Sequence, residues 1–474
     1  MSLDKFSTPY DDIILSLLEP RSKAYIVGGY IRDKILDIDT LDIDYVITNQ
    51  NATHIAEKFA NQINGHYINL DSENQIARVV LQDKITSIDF ASCMGDDIHK
   101  DLQRRDFTIN ALGYDIQTKE LIDITNGLND IKTGTISLIS EQNILDDPLR
   151  ILRAYRFSSK YDFKIDENTQ KILKKYPNLM QKSAIAKERI LQETLKLFEG
   201  ENSYKSIQKM EETGLLYEIF EPLKETTKIP PNPHHHLCLI EHSIESLRQL
   251  ELSLKDEPEW VQNHLKSTPN RLSLLKIATL LHDIGKPCCW TIEGDRHRFI
   301  KHDSIGAQLA KEALKPLKYS KNQIKYIHNL IKNHIYPSQL LQTDTTKKAI
   351  MKMFRKLEDT TVDTILLAKA DRKSACGPAI TKKIIEENIS GLNNLLEEYK
   401  NTQEELKPLP KLLSGDEIIN LLQIPANKQL GEIIKNLNEE QISGEITTKE
   451  EAIDWLLQNY KKAPSTSSIN SSTE

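Results

Sequence analysis

Asp42 and Asp44, in the run LDIDYVIT, stand two residues apart on a predicted strand, so their carboxylates leave the same face. Two acids on one face attract hard cations, and Mg²⁺ in particular is held by one or two carboxylates together with substrate phosphates. Asp89, in the later run SIDFAS, is a candidate third carboxylate for a two-metal site serving in-line phosphoryl displacement. A DxD pair alone is common on solvated strands, and its neighbourhood gives this one weight. VGGYIRD sets Gly28 and Gly29 directly after an apolar run and before a helical pattern that contains Arg32. Glycines let backbone N–H groups approach phosphates, a helix start adds partial positive charge, and Arg32 one turn in can pair with a triphosphate. The plainer alternative for the two glycines is a tight strand-to-helix turn.

A second group could read a base. In DDPLRILR, Pro148 suits a first helical turn and Asp147 precedes it, so Asp147, Arg150 and Arg153 fall at three-residue spacing along one side of the predicted helix. A carboxylate accepts from the exocyclic amine of C or A, and a guanidinium donates to a ring nitrogen or carbonyl oxygen, a pairing that rejects U and G. The alternative is that Asp147 caps the helix and Arg150 is a surface ion-pair partner. Farther on, ten of the 13 histidines lie between His234 and His334, which random scatter would not produce. His282 and Asp283 are adjacent, and imidazole with carboxylate suits transition-type divalent metals. Runs containing His242, His302, His334 and Asp371 recur on further predicted helices, so separate helices would have to converge.

These groups need different supports. Residues 23 to about 140 are the only part rich in short β-like runs (AYIVGG, DIDYVIT, HYINL, ARVVLQ, ITSIDFAS, TISLI), which predicts an α/β domain. From about 146 onward, apolar residues recur at three and four, as in AKERILQETLKLFEG, so the rest is expected to be helical. IPPNP at 229–233 is a plausible boundary, and the tail at 461–474 is expected to be disordered. At 474 residues, two to four domains are the starting expectation. The net charge of −7 argues against wholesale adhesion to nucleic acid, so any RNA binding must be regional. Five scattered cysteines give no disulfide framework, no stretch reaches membrane-helix length, and the N-terminus lacks a secretory pattern, so a cytoplasmic protein with no membrane partner is expected.

The ordered set GG..RD, DxD, RRDFTINAL (104–112), DDPLRILRAYRF (146–157) and KERILQE (187–193) resembles the bacterial tRNA nucleotidyltransferase and poly(A) polymerase family. The resemblance implies an N-terminal α/β nucleotidyltransferase domain (1–140), a helical nucleotide-selecting and RNA-binding neck (141–228), an HD-type domain (234–380) and a C-terminal helical region (381–460). It implies Mg²⁺ on Asp42 and Asp44, with Asp89 as the third carboxylate. It implies nucleotide contacts by Gly28, Gly29 and Arg32, base selection by Asp147 and Arg150, and help from Arg153 and from Arg104 or Arg105. The partners would be tRNA, CTP and ATP. The histidine-rich region resembles HD-type phosphohydrolases, whose pattern implies His242, His282, Asp283 and Asp371 as ligands of a divalent metal. His302 and His334 match positions for a second metal or for phosphate.

Two departures are visible. Asp146 stands where the family usually has Glu, leaving Asp147 and Arg150 intact. Fourteen residues separate Asp89 from Arg104, a short connection that resembles enzymes adding CC and leaving the terminal A to a separate partner enzyme. The rival readings are a poly(A) polymerase, a phosphohydrolase acting through the HD centre on damaged RNA ends, and a non-catalytic RNA-binding module.

Overall fold

The structure, a computed structural model, describes residues 3–176, 178–231, 237–294, 296–342, 345–377, 380–403, 406 and 410–460. The tail at 461–474 and histidines 234–236 lie outside them. The chain forms two compact units, one running to Lys224 and the other made of most of the chain from Glu225 onward.

The first unit holds strands β1 (Lys23–Val27), β2 (Asp42–Thr48), β3 (His66–Asp71), β4 (Ile76–Val80), β5 (Ser87–Ser92), β6 (Leu112–Asp115) and β7 (Glu120–Asp123). They make one sheet in the order β3-β4-β5-β2-β1-β6-β7. Only β2 and β5 run parallel; all other neighbours are antiparallel. The first five coincide with the β-like runs of the sequence. β6 and β7 carry LGYD and ELID, four residues each and too mixed to alternate, and they become strands because β1 and then β6 offer a ladder. TISLI shrinks to the two-residue β8 (Thr135–Ile136), paired with β9 (Lys164–Ile165).

Alternation on β2 fixes which way the acids face. Ile43, Tyr45 and Ile47 are buried, and Tyr45 stacks on Phe90 of β5 at 5.6 Å, with Phe59 of the helix Ala52–Ile63 closing the cluster at 5.4 Å from Phe90. That helix begins where the Asn51 side chain accepts from the Thr53 amide and ends at Asn64 in the left-handed region. On the opposite face of β2, Val46 joins Tyr25, Val27, Cys93, Ile98, Leu102 and Ala111 in a second apolar cluster. Asp42 and Asp44 share the face of Val46 but lie beyond the end of that cluster. A one-residue slip of register would push both carboxylates into the Tyr45 core, so burial of Ile43, Tyr45 and Ile47 pins the acid face.

Beyond the sheet, the helix Leu149–Tyr161 packs along Lys187–Glu199, and the Ser159 hydroxyl donates to the Leu197 carbonyl at 2.7 Å. The second unit is built from helices, among them Leu239–Leu254, Arg271–Leu281, Lys321–Asn333 and Thr361–Ser374. The helical pattern is interrupted there by a hairpin, β10 (Trp290–Glu293) with β11 (Arg296–Phe299). Its alternation, WTIE and RHRF, is only four residues long on each side, below what periodicity reveals. Toward the C-terminus a separate apolar cluster forms around Ile418, Ile433, Leu437, Ala452 and Leu456.

Candidate functional site

Strand register assembles the acids. Parallel pairing sets Asp44 opposite Asp89, and antiparallel pairing sets Arg78 of β4 opposite Asp89 from the other side. Arg78 donates to both Asp89 oxygens, at 2.7 and 2.8 Å, while Asp42 accepts from the Ser87 hydroxyl at 2.7 Å. Burial raises the Asp44 carboxyl to about 6; Arg105 opposes this, and the neighbouring Asp89 and Asp42 add to it. A carboxyl that ionises reluctantly beside two others is one that a bound cation relieves, and an all-oxygen donor set fits a hard divalent ion.

The acids line a cleft of about 950 Å³. Its walls include Gly29, Arg32, Arg104, Arg105, Asp147, Arg150 and Arg153, so the sequence candidates converge on one space, with the exception of Gly28. Gly28 has φ +72°, its N–H donates to the Leu112 carbonyl at 3.0 Å, and a Cβ there would come within 2.8 Å of the Arg105 guanidinium. Its glycine identity therefore serves the turn and the seating of Arg105. Gly29 opens the short helix Gly29–Ile35 and faces the cleft.

The arginines of the cleft are held by side-chain partners, some of them shared, that sequence reading does not single out. Arg32, only 5% exposed, donates to Asp33 at 2.8 Å and to Asn110, and lies over the rings of Tyr161 and Phe157 at 4.7 and 5.2 Å. Arg104 and Arg105 both reach Asp101, at 2.7 and 3.3 Å. Arg153 pairs with Asp106 at 2.6 Å and Glu193 at 3.3 Å, and Glu193 also holds Arg156 at 2.6 Å. Burial alone would raise the Asp106 carboxyl, but Arg153, the Asn110 side chain and the Phe107 amide keep it below the usual range. Asp106 and Asn110 sit in the quoted RRDFTINAL run, where hydrogen-bonding residues amid apolar ones are the available signal, and Glu193 closes the quoted KERILQE run; Arg78 carries no such signal.

The helix that carries Arg150 and Arg153 begins at Leu149, and Asp147 precedes it, as its place before Pro148 implies. Asp147 has extended backbone ahead of Leu149–Tyr161, and its Oδ1 accepts from the Leu149 amide at 3.3 Å. Pro148 causes this, since the residue before proline is pushed out of helical geometry. Asp147 meets Arg189 at 2.8 Å, whereas Arg150 donates to the Asn143 carbonyl at 3.0 Å.

The second unit brings the histidine motifs together. His242 lies on Leu239–Leu254 and Asp371 on Thr361–Ser374; His282 and Asp283 follow Arg271–Leu281; His302 opens His302–Leu314; and His334 follows Lys321–Asn333. The Nδ1–H groups of His282, His302 and His334 lie 2.7, 2.8 and 2.6 Å from the carbonyls of Thr279, Phe299 and Ile331. With those bonds made, each ring turns the lone pair of Nε2 inward. The inward atoms crowd together: His302 and His334 Nε2 are 3.3 Å apart, His242 Nε2 is 3.1 Å from Asp371, and His282 Nε2 is 3.2 Å from Asp283. Burial lowers the His282 imidazole, but Asp283 and Asp371 outweigh it and raise it to about 10; burial together with His282 and His302 drives His334 down to about 4. Lys286 also reaches Asp283, at 2.5 Å, and the mixed set of inward imidazoles and carboxylates is a donor chemistry that suits a divalent ion. The subsets His242–His282–Asp371 and His282–Asp283–His334 each place their ligand atoms within 4.8 Å of one another.

Residues 24–137 match the family described as poly A polymerase head domain, 162–226 the probable RNA and SrmB-binding site of polymerase A, and 239–376 the HD domain. The chain belongs to the bacterial tRNA nucleotidyltransferase and poly(A) polymerase family, in a form that carries an HD domain. Relatives in this family include the A-adding tRNA nucleotidyltransferase of Deinococcus radiodurans, 29% identical over 93% of this chain and 96% of its own length. The CC-adding tRNA nucleotidyltransferase of Thermus thermophilus is 26% identical over 92% and 93%. Among solved structures, a CCA-adding enzyme in complex with CTP superposes with a TM-score of 0.61 at 23% identity, covering 97% of this chain and 98% of its own, and so shares the fold. Within the family frame, the Asp42–Asp44–Asp89 centre falls in the head match and the histidine centre in the HD match. Asp147, Arg150 and Arg153 lie in 138–161, which none of the three family matches covers. Among the described residues, no helix is long and apolar enough to cross a membrane.

Proposed function

We propose that this enzyme extends the 3′ end of tRNA with C and/or A taken from CTP and ATP, by Mg²⁺-assisted in-line transfer. One observation carries the reading: three carboxylates on one sheet face and an arginine–carboxylate frame able to read a base line the same cleft. The near full-length A-adding and CC-adding relatives support it.

Asp42 and Asp44, with Asp89, are the residues that would hold Mg²⁺. When bound, the ion neutralises triphosphate charge and favours the alkoxide form of the attacking hydroxyl. Arg32, fixed by Asp33, Asn110 and two aromatic rings, presents a preorganised cation to the triphosphate and loses little entropy on binding it. Asp147 accepts from the amine of C or A and Arg150 donates to the adjacent acceptor, which disfavours U and G. The tRNA 3′-hydroxyl attacks the α-phosphorus and pyrophosphate leaves.

The connection between Asp89 and Arg104 favours addition of C alone. Cys93, Ile98 and Leu102 of this segment are buried in the core cluster around Val46 of β2, and Asp101 ties down both Arg104 and Arg105. A connection anchored at four places resists the reshaping that exchange of a pyrimidine for a purine asks of one pocket.

The test supplies tRNA ending before CCA, after C or after CC, with each NTP in turn. Incorporation of C and/or A at these ends is expected, with two C residues and no A if the anchored connection governs the outcome. Long A tails would instead make the chain a poly(A) polymerase, and no incorporation would overturn the reading.

A further inference from the structure

We infer that Arg189 is a specificity-positioning residue, holding the Asp147 carboxylate toward the cleft and away from Arg150. The inference rests on the base-reading role proposed for Asp147 and Arg150.

Three observations lead to it. Asp147 and Arg150 are three residues apart, and the Arg150 guanidinium is the nearest cation along the chain, so a carboxylate left to itself would pair with it. The structure shows another arrangement. Arg189 approaches Asp147 as a fork, with Nη2 at 2.8 Å from Oδ2 and Nη1 at 3.4 Å from Oδ1, while Arg150 is turned to the Asn143 carbonyl. The Leu149 amide takes a further lone pair of Oδ1. A carboxylate has about four lone-pair directions, so these contacts fix its plane and leave one or so for a base amine.

The second observation is where Arg189 comes from. It lies one turn into Lys187–Glu199, four residues before Glu193, which holds Arg153 and Arg156. Residues four apart share a helix face, so one face of this helix fixes the orientation of an acid and two arginines of the opposing chain segment. The third is exposure: the Arg189 side chain is 52% exposed and Asp147 26%. A pair as open as this adds little to folding stability, so its use lies in geometry. Lysine would keep the charge without the fork, which separates orientation from electrostatics.

The experiment measures kcat and KM for CTP, ATP, UTP and GTP on tRNA lacking its 3′ CCA, for wild type, Arg189→Ala and Arg189→Lys, with thermal melting alongside. Arg189→Ala is expected to lose about tenfold or more of the discrimination against UTP and GTP. The loss should fall mainly in KM, with kcat for the preferred nucleotide and Tm close to wild type. Arg189→Lys should recover part of the discrimination. Wild-type discrimination in Arg189→Ala, or a loss of kcat equal for all four nucleotides, would overturn the inference. If wild type itself incorporated none of the four, it is the proposed function that would fall.

Discussion

Two carboxyls, Asp44 and Glu218, show what burial does to an acid with and without company. Asp44 is raised to about 6 amid other acids and Arg105, in a place a cation can enter. Glu218, on the helix Leu215–Ile219, is raised to about 7 by burial, offset in part by the Gln181 backbone. An acid whose folded value exceeds its ordinary 4.5 holds its proton more tightly in the folded state. Stability is then lost as pH climbs from about 4.5 through about 7, and the loss is complete above that. Glu218→Gln should accordingly raise Tm above wild type at about pH 8 and change it little at about pH 4.5; an equal shift at both would contradict this. At the residue scale, Asp42, Asp44, Arg32, Arg150 and the HD histidines were legible because residue type and short spacing carry the signal. Their holders were not: Asp89 meets Arg78 11 positions away, Arg153 meets Asp106 47 away, and Arg32 meets Asn110 78 away. Only the sheet register and helix packing make those pairs.

Elements decide how ligands aim. β2 and β5 could be read because Ile43, Tyr45, Ile88 and Phe90 alternate with polar residues, whereas β6, β7 and the hairpin β10–β11 are four-residue strands that exist through their partners. Asp147 stands off the helix for a reason also local, the proline that follows it. In the HD unit, three imidazoles are oriented by carbonyls at helix ends or at the end of β11, so the inward lone pairs are a property of where elements stop. Filling that centre should stabilise the unit: adding Mn²⁺ or Ni²⁺ to chelator-stripped protein should raise Tm, corresponding to about 2.7 kcal/mol at a hundredfold excess over Kd. His282→Ala should abolish the shift. An equal shift in His282→Ala, or none in wild type, would show that these side chains do not form the metal site.

The two proposed metal centres lie in different compact units, an oxygen-only group of acids on a sheet and a mixed nitrogen–oxygen group among helices. The ligands are drawn from different units, so His282→Ala should leave nucleotide incorporation near wild type while removing metal from the HD centre, as read by metal analysis. Loss of incorporation in that variant would mean the HD centre serves the transfer reaction. The helical body was legible from the change in period near residue 146, whereas the two compact units divide later, after Lys224, and the sheet order, with β2 central between β5 and β1, depends on pairing rather than pattern. The central claim is that Asp42 and Asp44 hold the ion for transfer. Single-turnover incorporation of CTP into tRNA lacking CCA, at saturating Mg²⁺, with wild type, Asp42→Ala and Asp44→Ala, tests it most directly. Both variants should fold as wild type and lose about a thousandfold in rate, the scale of several kcal/mol of lost charge stabilisation; undiminished transfer by either would contradict it.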